Sequence, residues 1–207
     1  MNVGTSLLIA TRNEGKIREL RELLADLPVQ LLRLNDFPEI NTVPETGDTF
    51  IENASLKASG YARQARVLAL ADDSGLEVDA LGGAPGVFSA RYAGEAASDL
   101  VRVDRLLAEL SKIEAAKRNA RFVSVVVIAN EEGRILNAST GVCEGHIASA
   151  PRGENGFGYD PVFIPLGYDS TFAELTPNVK NRISHRAQAL RSARDFLLTL
   201  TSPPDGS

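Results

Sequence analysis

Short apolar runs alternate with stretches of helical periodicity through the first part of this chain, and that order constrains its fold more than any other feature. The runs "SLLIA", "VQLLRL" and "VLALA" have the composition of short buried strands. Between them, apolar residues recur at helical spacing from about Lys16, and Thr49 with Glu52 forms a capping box for a helix that reaches about Arg66. This alternation predicts an α/β fold.

A long hairpin follows, in which "RFVSVVVIAN" and "RILNASTGVCEGHI" are joined by a turn at 131–133. The hairpin makes the predicted sheet a mixed one, flanked by helices. Before it, "GLEVDAL" is predicted to be a separate half-exposed strand with Leu76, Val78 and Ala80 facing inward. Two later helices are expected to bury the following side chains: Leu100, Val103, Leu107 and Leu110 in one, and Leu190, Ala193, Leu197 and Leu200 in the other.

Composition excludes several classes of function. The 207 residues carry a formal charge of -5, so no basic excess is present to drive binding to nucleic acid or to an anionic membrane. Neither a signal peptide nor a membrane span is apparent, and the single Cys143 excludes an internal disulfide. We expect a cytoplasmic protein with one bilobal domain over residues 1–207, of which 201–207 form a frayed tail.

Two adjacent aspartates, Asp72 and Asp73, follow the run "VLALA" and precede Ser-Gly. Neighbouring carboxylates repel, so each resists ionisation beside the other. Open α/β sheets bind ligands at the carboxyl ends of strands, and aspartates there suit Mg²⁺ beside substrate phosphates. A capped Asp-Ser-Gly turn at the end of the strand would explain the same residues without a ligand. The pattern leaves both interpretations open.

The segment "TRNEGK" joins the first strand to the first helix. Backbone N–H groups at a helix start, with Gly15 and Lys16 beside them, could bind phosphate, although neither the P-loop spacing nor G-x-G-x-x-G is present. An ordinary turn with a surface lysine is favoured on this motif by itself.

Lys57 poses a related question, because it shares a helical stripe with Phe50, Ala54 and Tyr61. It either points into a site that holds carboxylates or phosphate, or extends its stem to solvent.

Cations collect in "KNRISHRAQAL", where Ser184 is a good N-cap and places His185 and Arg186 in the first turn of a helix. Positive charge there opposes the helix dipole, which suggests that an anion or an acceptor-rich ring binds from outside. The alternative is that exposed cations are tolerated.

In "GENGFGYDP", Phe157 could stack on a base and Asp160 could accept from a ring N–H. Tyr159 is equally well explained as an aromatic that plugs the core.

Five segments in this order resemble one family, the inosine triphosphate pyrophosphatases, and in particular its bacterial branch. They are "TRNEGK", "PETGDTFIENASLKA", "ADDSGLEVDALGGAPGVFSARYAG", "GFGYDPVF" and "SHRAQAL", which together extend over most of the chain. One departure is Pro44, which stands where that branch often has a second acid. The resemblance implies an elongated α/β fold with a long mixed sheet, a cleft between two lobes and a homodimer.

The resemblance also implies Mg²⁺-dependent hydrolysis of ITP, dITP and XTP to the monophosphate and pyrophosphate. It assigns Asp73 as the base for the attacking water, and a metal site to Glu45, Asp72 and Asp73. It assigns contacts with the triphosphate to Thr11, Arg12, Asn13, Glu14, Gly15, Lys16 and Lys57. The remaining substrate contacts fall to Ser74 and, for the purine, to Phe157, Gly158, Tyr159, Asp160, Lys180, His185 and Arg186.

Under this interpretation, His185 and Arg186 donate to the 6-oxo group of hypoxanthine and xanthine, where adenine presents an amino donor instead. Sites built to hydrogen-bond a group reject its absence by roughly 10⁴–10⁵-fold. Two rival functions follow from the same residues. One is a pyrophosphatase for modified pyrimidine nucleotides, and the other is a nucleotide-binding regulator without turnover.

Overall fold

A computed structural model of the protein describes residues 5–201. Within these residues the strands form one sheet, in the order β2-β1-β3-β4-β5-β6. Their bounds are β1 (Thr5–Ile9), β2 (Val29–Arg33), β3 (Leu68–Val78), β4 (Asn119–Ala129), β5 (Ile135–Ile147) and β6 (Phe163–Pro165). β1 pairs in parallel with β2 and β3, whereas β5 and β6 are antiparallel. The predicted α/β fold with a mixed sheet is therefore confirmed.

Two helices begin directly after the caps predicted at Thr49 and Ser184, whereas the helix Pro177–Ile183 was not predicted. The bounds of the helices are α1 (Glu14–Leu23), α2 (Phe50–Ala65), α3 (Asp99–Glu109), α4 (Pro177–Ile183) and α5 (His185–Thr201). The capping box of Thr49 and Glu52 is present at α2. α1 begins slightly before Lys16, because the side chain of Asn13 accepts a hydrogen bond from the Lys16 N–H and caps the helix.

The segment around the paired aspartates differs from the prediction. Instead of two strands separated by an Asp-Ser-Gly turn, β3 is one strand of 11 residues that passes through Asp72 and Asp73. Both acids are buried, so solvent exposure at a strand end does not explain them. A break between two strands was expected because aspartate, serine and glycine disfavour strands, but pairing with lysines from α1 and α2 satisfies these acids inside the sheet.

Three of the expected core positions are exposed. Leu100 is 65% exposed and Leu200 is 43% exposed, because each lies in the end turn of its helix, beyond the neighbours that cover the rest of the apolar face. In α3 the buried face is formed by Val103 and Leu106, and it is continued by Leu110 at the C-cap. Ala80 is exposed because β3 ends at Val78 and a 3₁₀ turn then breaks the alternation of the strand.

The described chain divides into two compact units, each with its own core. Unit 1 contains the residues up to Asp73, Val125–Thr140 and those from Ala189 onward, and unit 2 contains Ser74–Ser124 and Gly141–Gln188. The core of unit 1 packs α1 and α5 against β1, β3 and β4. The core of unit 2 packs α3 against the later parts of β3 and β5 and against the first part of β4, with β6.

The frayed tail predicted for 201–207 lies, from residue 202 onward, outside the described residues. Over residues 5–201, no helix has the length and the apolar character that crossing a membrane requires.

Candidate active site

In unit 1, the two aspartates of β3 are held by lysines from two different helices. Asp72 is 1% exposed, and its Oδ2 lies 3.3 Å from Nζ of Lys16 in the first turn of α1. The same ammonium donates to the backbone carbonyl of Asp72, also at 3.3 Å. The turn "TRNEGK" therefore places its lysine at the aspartates and not on the open surface.

Lys57 does not extend to solvent. It is buried on α2, and its Nζ lies 2.7 Å from Oδ1 of Asp73 and 3.3 Å from Oε1 of Glu45. It also donates to the backbone carbonyl of Asp72 at 3.1 Å. One ammonium thus joins three segments that are far apart in the sequence. Of the two alternatives that the sequence left open for Lys57, the structure shows the one in which the side chain points toward carboxylates.

Burial and charge act in opposite directions on this pair. Burial raises the pKa of Asp73 above its usual range, and the nearby ammonium groups of Lys57 and Lys16 offset that rise only in part. Burial acts to lower the pKa of Lys57, but the carboxylates of Asp73 and Glu45 outweigh it, so that this pKa is raised. A carboxylate whose proton affinity is increased while a fixed cation stands beside it is suited to accept a proton.

Side chains in the turn before α1 bond within the turn itself. The Asn13 N–H donates to Oγ1 of Thr11 at 3.2 Å, and Oδ1 of Asn13 accepts from the Lys16 N–H at 2.9 Å. Glu14 pairs with Arg33 of β2, and Arg12 is exposed. These contacts fix the backbone of the turn, and Gly15 and Lys16 lie next to it in the first turn of α1.

The donor set of unit 1 suits a magnesium ion that is shared with a substrate. Over the described residues, no group of three or more histidine, cysteine or acidic side chains is close enough to hold a metal by itself. Asp73 and Glu45 nevertheless lie about a single ammonium, which shows that their carboxylates can approach one cation together. Mg²⁺ commonly binds one or two carboxylates and completes its shell with phosphate and water. The residues present fit such an ion.

In unit 2, four charged or titratable side chains at the predicted base-binding positions are buried. Asp160, Lys180, His185 and Arg186 are between 1% and 5% exposed, so the alternative that the cations are simply tolerated on the surface is wrong. Lys180 pairs with Asp160, whose Oδ2 also accepts from the Phe157 N–H at 2.8 Å. Buried charge is costly unless it is paired or satisfied by hydrogen bonds. The burial of these four side chains together therefore indicates a functional site.

Aromatic rings lie against these cations. Nζ of Lys180 is 5.0 Å from the centroid of the Phe157 ring, and Cζ of Arg186 is 5.7 Å from it. The ring of His185 stacks on Phe122 with 4.6 Å between centroids. Arg186 also donates to Oγ of Ser74 at 3.0 Å, which brings together two residues that the sequence assigned to substrate separately.

Sequence reasoning missed two residues that fix this part of unit 2, namely Asp99 and Ser89. Asp99, in the first turn of α3, accepts a hydrogen bond from the Gly158 N–H at 2.7 Å. Tyr159 is buried in the core and donates its hydroxyl to the backbone carbonyl of Ser89 at 3.0 Å. Ser98 caps the start of α3, but no local pattern indicates which loop the first turn of this helix contacts.

A model of the Ham1 family matches residues 7–196. The chain belongs to the Ham1 family. Among relatives, it is 46% identical over 195 residues to a dITP/XTP pyrophosphatase of Oceanobacillus iheyensis, covering 94% of this chain and 98% of the relative. It is 50% identical over 184 residues to a dITP/XTP pyrophosphatase of Geobacillus kaustophilus, covering 89% and 90%.

Solved structures of Ham1 proteins share the fold. A HAM1 protein from Coxiella burnetii superposes with a TM-score of 0.85 at 43% identity, covering 94% of this chain and 99% of that one. The Staphylococcus aureus Ham1 protein gives a TM-score of 0.83 at 38% identity, covering 95% and 100%. The family resemblance inferred from the five segments is therefore confirmed over nearly the whole chain.

Proposed function

We propose that this Ham1 protein hydrolyses noncanonical purine nucleoside triphosphates, namely dITP, XTP and ITP, to the monophosphate and pyrophosphate. The observation that carries the proposal is the burial of Asp72 and Asp73 within β3, where Lys16 and Lys57 hold them. Its relatives named dITP/XTP pyrophosphatases support the choice of substrate. The two rival functions are tested by the experiment below.

The residues of unit 1 would bind the triphosphate. Mg²⁺, held by Glu45, Asp72 and Asp73, would neutralise phosphate charge and lower the pKa of water. Asp73 removes the proton from the water that attacks the α-phosphorus, since its carboxylate is buried and has a raised pKa. Lys16 and Lys57 offset the negative charge that develops on the phosphates.

The residues of unit 2 would bind the purine. Phe157 stacks on the base, and Asp160 and Lys180 fix the loop that carries that ring. His185 and Arg186 donate to the 6-oxo group, which adenine lacks. Guanine has the same 6-oxo group, so GTP must be included in any test of selectivity. The magnesium requirement, the homodimer and the cytoplasmic location belong to this proposal and stay predictions.

The test is release of pyrophosphate from ITP, dITP, XTP, GTP, ATP and dTTP, with and without Mg²⁺. We expect metal-dependent release from the first three, and Asp73→Asn should lower kcat by about 10²–10⁴-fold, as removal of a general base does. Asp79→Asn is the matched control, because this aspartate follows the same strand but is exposed. It should leave kcat unchanged.

The other outcomes of the panel select between the rivals. Release from pyrimidine nucleotides in preference to purines would assign the protein to the pyrimidine pyrophosphatases. Binding of ITP without release of pyrophosphate from any substrate would make it a nucleotide-binding regulator. Equal loss of activity in Asp73→Asn and Asp79→Asn would contradict the role given to Asp73.

A further inference from the structure

The segment 41–47, which precedes α2, runs back along that helix and is bonded to it at every second residue. At its far end, the Asn41 N–H donates to Oε1 of Gln64 at 2.8 Å, and Nε2 of Gln64 donates to the Asn41 carbonyl at 3.1 Å. Next, the Val43 N–H donates to the Tyr61 hydroxyl at 3.3 Å. These contacts form the first half of what we term the 41–47 ladder.

The second half of the ladder contains a proposed metal ligand. Oε1 of Glu45 lies 3.3 Å from Nζ of Lys57. Beyond it, the Gly47 N–H donates to Oδ1 of Asn53 at 2.8 Å, and Nδ2 of Asn53 donates to the Gly47 carbonyl at 3.2 Å. Glu45 is thus flanked on both sides by positions at which the helix binds the backbone of the segment.

Helix and segment match in length as well as in contacts. The four helix residues, Asn53, Lys57, Tyr61 and Gln64, are spaced by four, four and three, so they lie on one face. Asn53 and Gln64 are 11 residue steps apart along α2, which is about 16.5 Å at 1.5 Å per residue. The six steps from 41 to 47 must cover that distance, at about 2.8 Å each, which requires a nearly extended chain. The ladder therefore leaves the segment little freedom to slip along the helix.

Two glycines permit the close approach of the segment 41–47 to α2. A Cβ on Gly60 would lie 2.7 Å from a methyl carbon of Val43. A Cβ on Gly47 would lie 2.5 Å from Cβ of Glu52 and 3.0 Å from Oδ1 of Asn53. Carbon atoms do not approach so closely without displacement, so any larger residue at either position would push the segment away from α2.

We propose that Asn53 is a positioning residue that sets the carboxylate of Glu45 at Lys57 and Asp73. Asn53 is 1% exposed, and it uses both ends of its amide on Gly47, two residues after Glu45. The ion pair of Glu45 with Lys57 holds this acid weakly, because its side chain is 41% exposed. The position of Glu45 is fixed instead by the hydrogen bonds between the Gly47 backbone and the Asn53 side chain. The catalytic consequence rests on the proposed function.

The test compares Asn53→Ala with Gln64→Ala. Gln64 is a matched control, since its amide makes the same pair of bonds to a backbone N–H and carbonyl. Those backbone groups belong to Asn41, which is four residues from Glu45. We expect Asn53→Ala to lower kcat/KM for ITP by about 10–100-fold, as loss of a partner behind a metal ligand does. The Mg²⁺ concentration for half-maximal rate should rise. Gln64→Ala should change either quantity by less than about threefold.

A readout without metal or substrate separates positioning from catalysis. Hydrogen exchange of the metal-free protein, followed on peptides that cover 42–48, should be faster in Asn53→Ala than in wild type. In Gln64→Ala, faster exchange should be confined to the beginning of the segment. If Asn53→Ala fails to fold, Gly47→Ala displaces the same backbone through its clash with Glu52 and should show the same two effects.

Three results would overturn the proposal. The first is unchanged exchange over 42–48 in Asn53→Ala, and the second is an equal loss of kcat/KM in Asn53→Ala and Gln64→Ala. The third concerns the double variant with Glu45→Gln: Asn53→Ala would lower kcat/KM there by the same factor as it does in the wild type. A residue that acts through Glu45 should have little effect once that acid is gone. A wild-type protein without pyrophosphatase activity would refute the proposed function, whereas the exchange comparison would still test the ladder.

Discussion

Asp73 is subject to burial and to positive charge at once, and the balance sets its protonation. Because its pKa in the folded protein is above the usual 3.8, the folded state holds this proton more tightly than the unfolded chain does. The resulting contribution to the free energy of unfolding is present below pH 3.8 and is lost as the pH rises through the raised pKa. Ionised Asp73 is therefore maintained at a cost in stability, as is common for groups that react.

The pH dependence of the reaction should show this balance. We expect kcat/KM to increase with pH as Asp73 ionises, since only its carboxylate form can accept a proton. The positive charge of Lys57 lowers the pKa of Asp73. Lys57→Met removes that charge and should therefore raise the pKa of Asp73, which moves the acidic limb of the profile to higher pH. The measurement is kcat/KM at saturating Mg²⁺ between about pH 4 and 8.

Arg63→Met is the control for that experiment. Arg63 is an exposed cation on the same helix as Lys57, and it is not among the groups that shift the pKa of Asp73 most. Its profile should coincide with that of the wild type. An acidic limb that stays in place, or moves to lower pH, in Lys57→Met would show that Asp73 is not the group that titrates.

At the scale of elements, Arg118 links the end of α3 to the strands that follow. It lies between α3 and β4, and its side chain is largely buried. Its guanidinium donates to the backbone carbonyls of Leu110 and Ile113, each at 3.0 Å, and to that of Ala148 at 3.5 Å. A helix end leaves carbonyl groups without partners inside the helix, and Arg118 supplies those donors from outside.

Removal of this guanidinium should destabilise unit 2. We expect Arg118→Met to lower the free energy of unfolding by about 2–4 kcal/mol, because buried carbonyl groups lose charged donors while the aliphatic volume is kept. Lys117→Met is the control, since the neighbouring side chain is 70% exposed and pairs only with exposed Glu114 among the described residues. Urea denaturation should show a change of less than about 0.5 kcal/mol for it. Equal effects would mean that the carbonyl contacts of Arg118 contribute nothing measurable.

Over the whole molecule, several elements belong to both compact units. β3 passes from unit 1 to unit 2 after Asp73, β4 returns after Ser124, and β5 passes again after Thr140. α5 changes unit after Gln188. A strand cannot unfold in one half without disturbing the backbone bonds of the other half, so the units should not unfold separately.

Single tryptophans offer a direct test, because the chain has none. Phe196→Trp would report on unit 1, and Tyr92→Trp would report on unit 2, since each replaced ring packs against the core of its own unit. We expect the two fluorescence transitions in urea to have the same midpoint, and both to match the far-ultraviolet circular dichroism. Distinct midpoints would show that the units unfold independently despite the shared strands.

The comparison of sequence and structure is clearest for β3. Its apolar residues were correctly predicted to be buried, but local propensity placed a turn at the aspartates that the structure does not contain. Propensity reports only how a residue behaves among its chain neighbours. The partners that keep this strand intact, Lys16 and Lys57, are respectively 56 and 15 residues before Asp72 and come from two helices.

The sequence by itself determined the features that depend on neighbouring residues. These are the alternation that produces an α/β fold, the caps at Thr49 and Ser184, and the turn of the hairpin, since each arises from contacts within a few positions. The five family segments also identified the family. All of this information is local or motif-based.

Only the tertiary structure decided which charges are buried and what holds them. The pairing of Lys57 with Glu45 and Asp73, the 41–47 ladder and the contact of Asp99 with Gly158 join residues that no periodicity relates. The exposure of Leu100 depends likewise on where the core ends. Burial and ion pairing are properties of the space around a side chain, and that space is filled by distant segments of the chain.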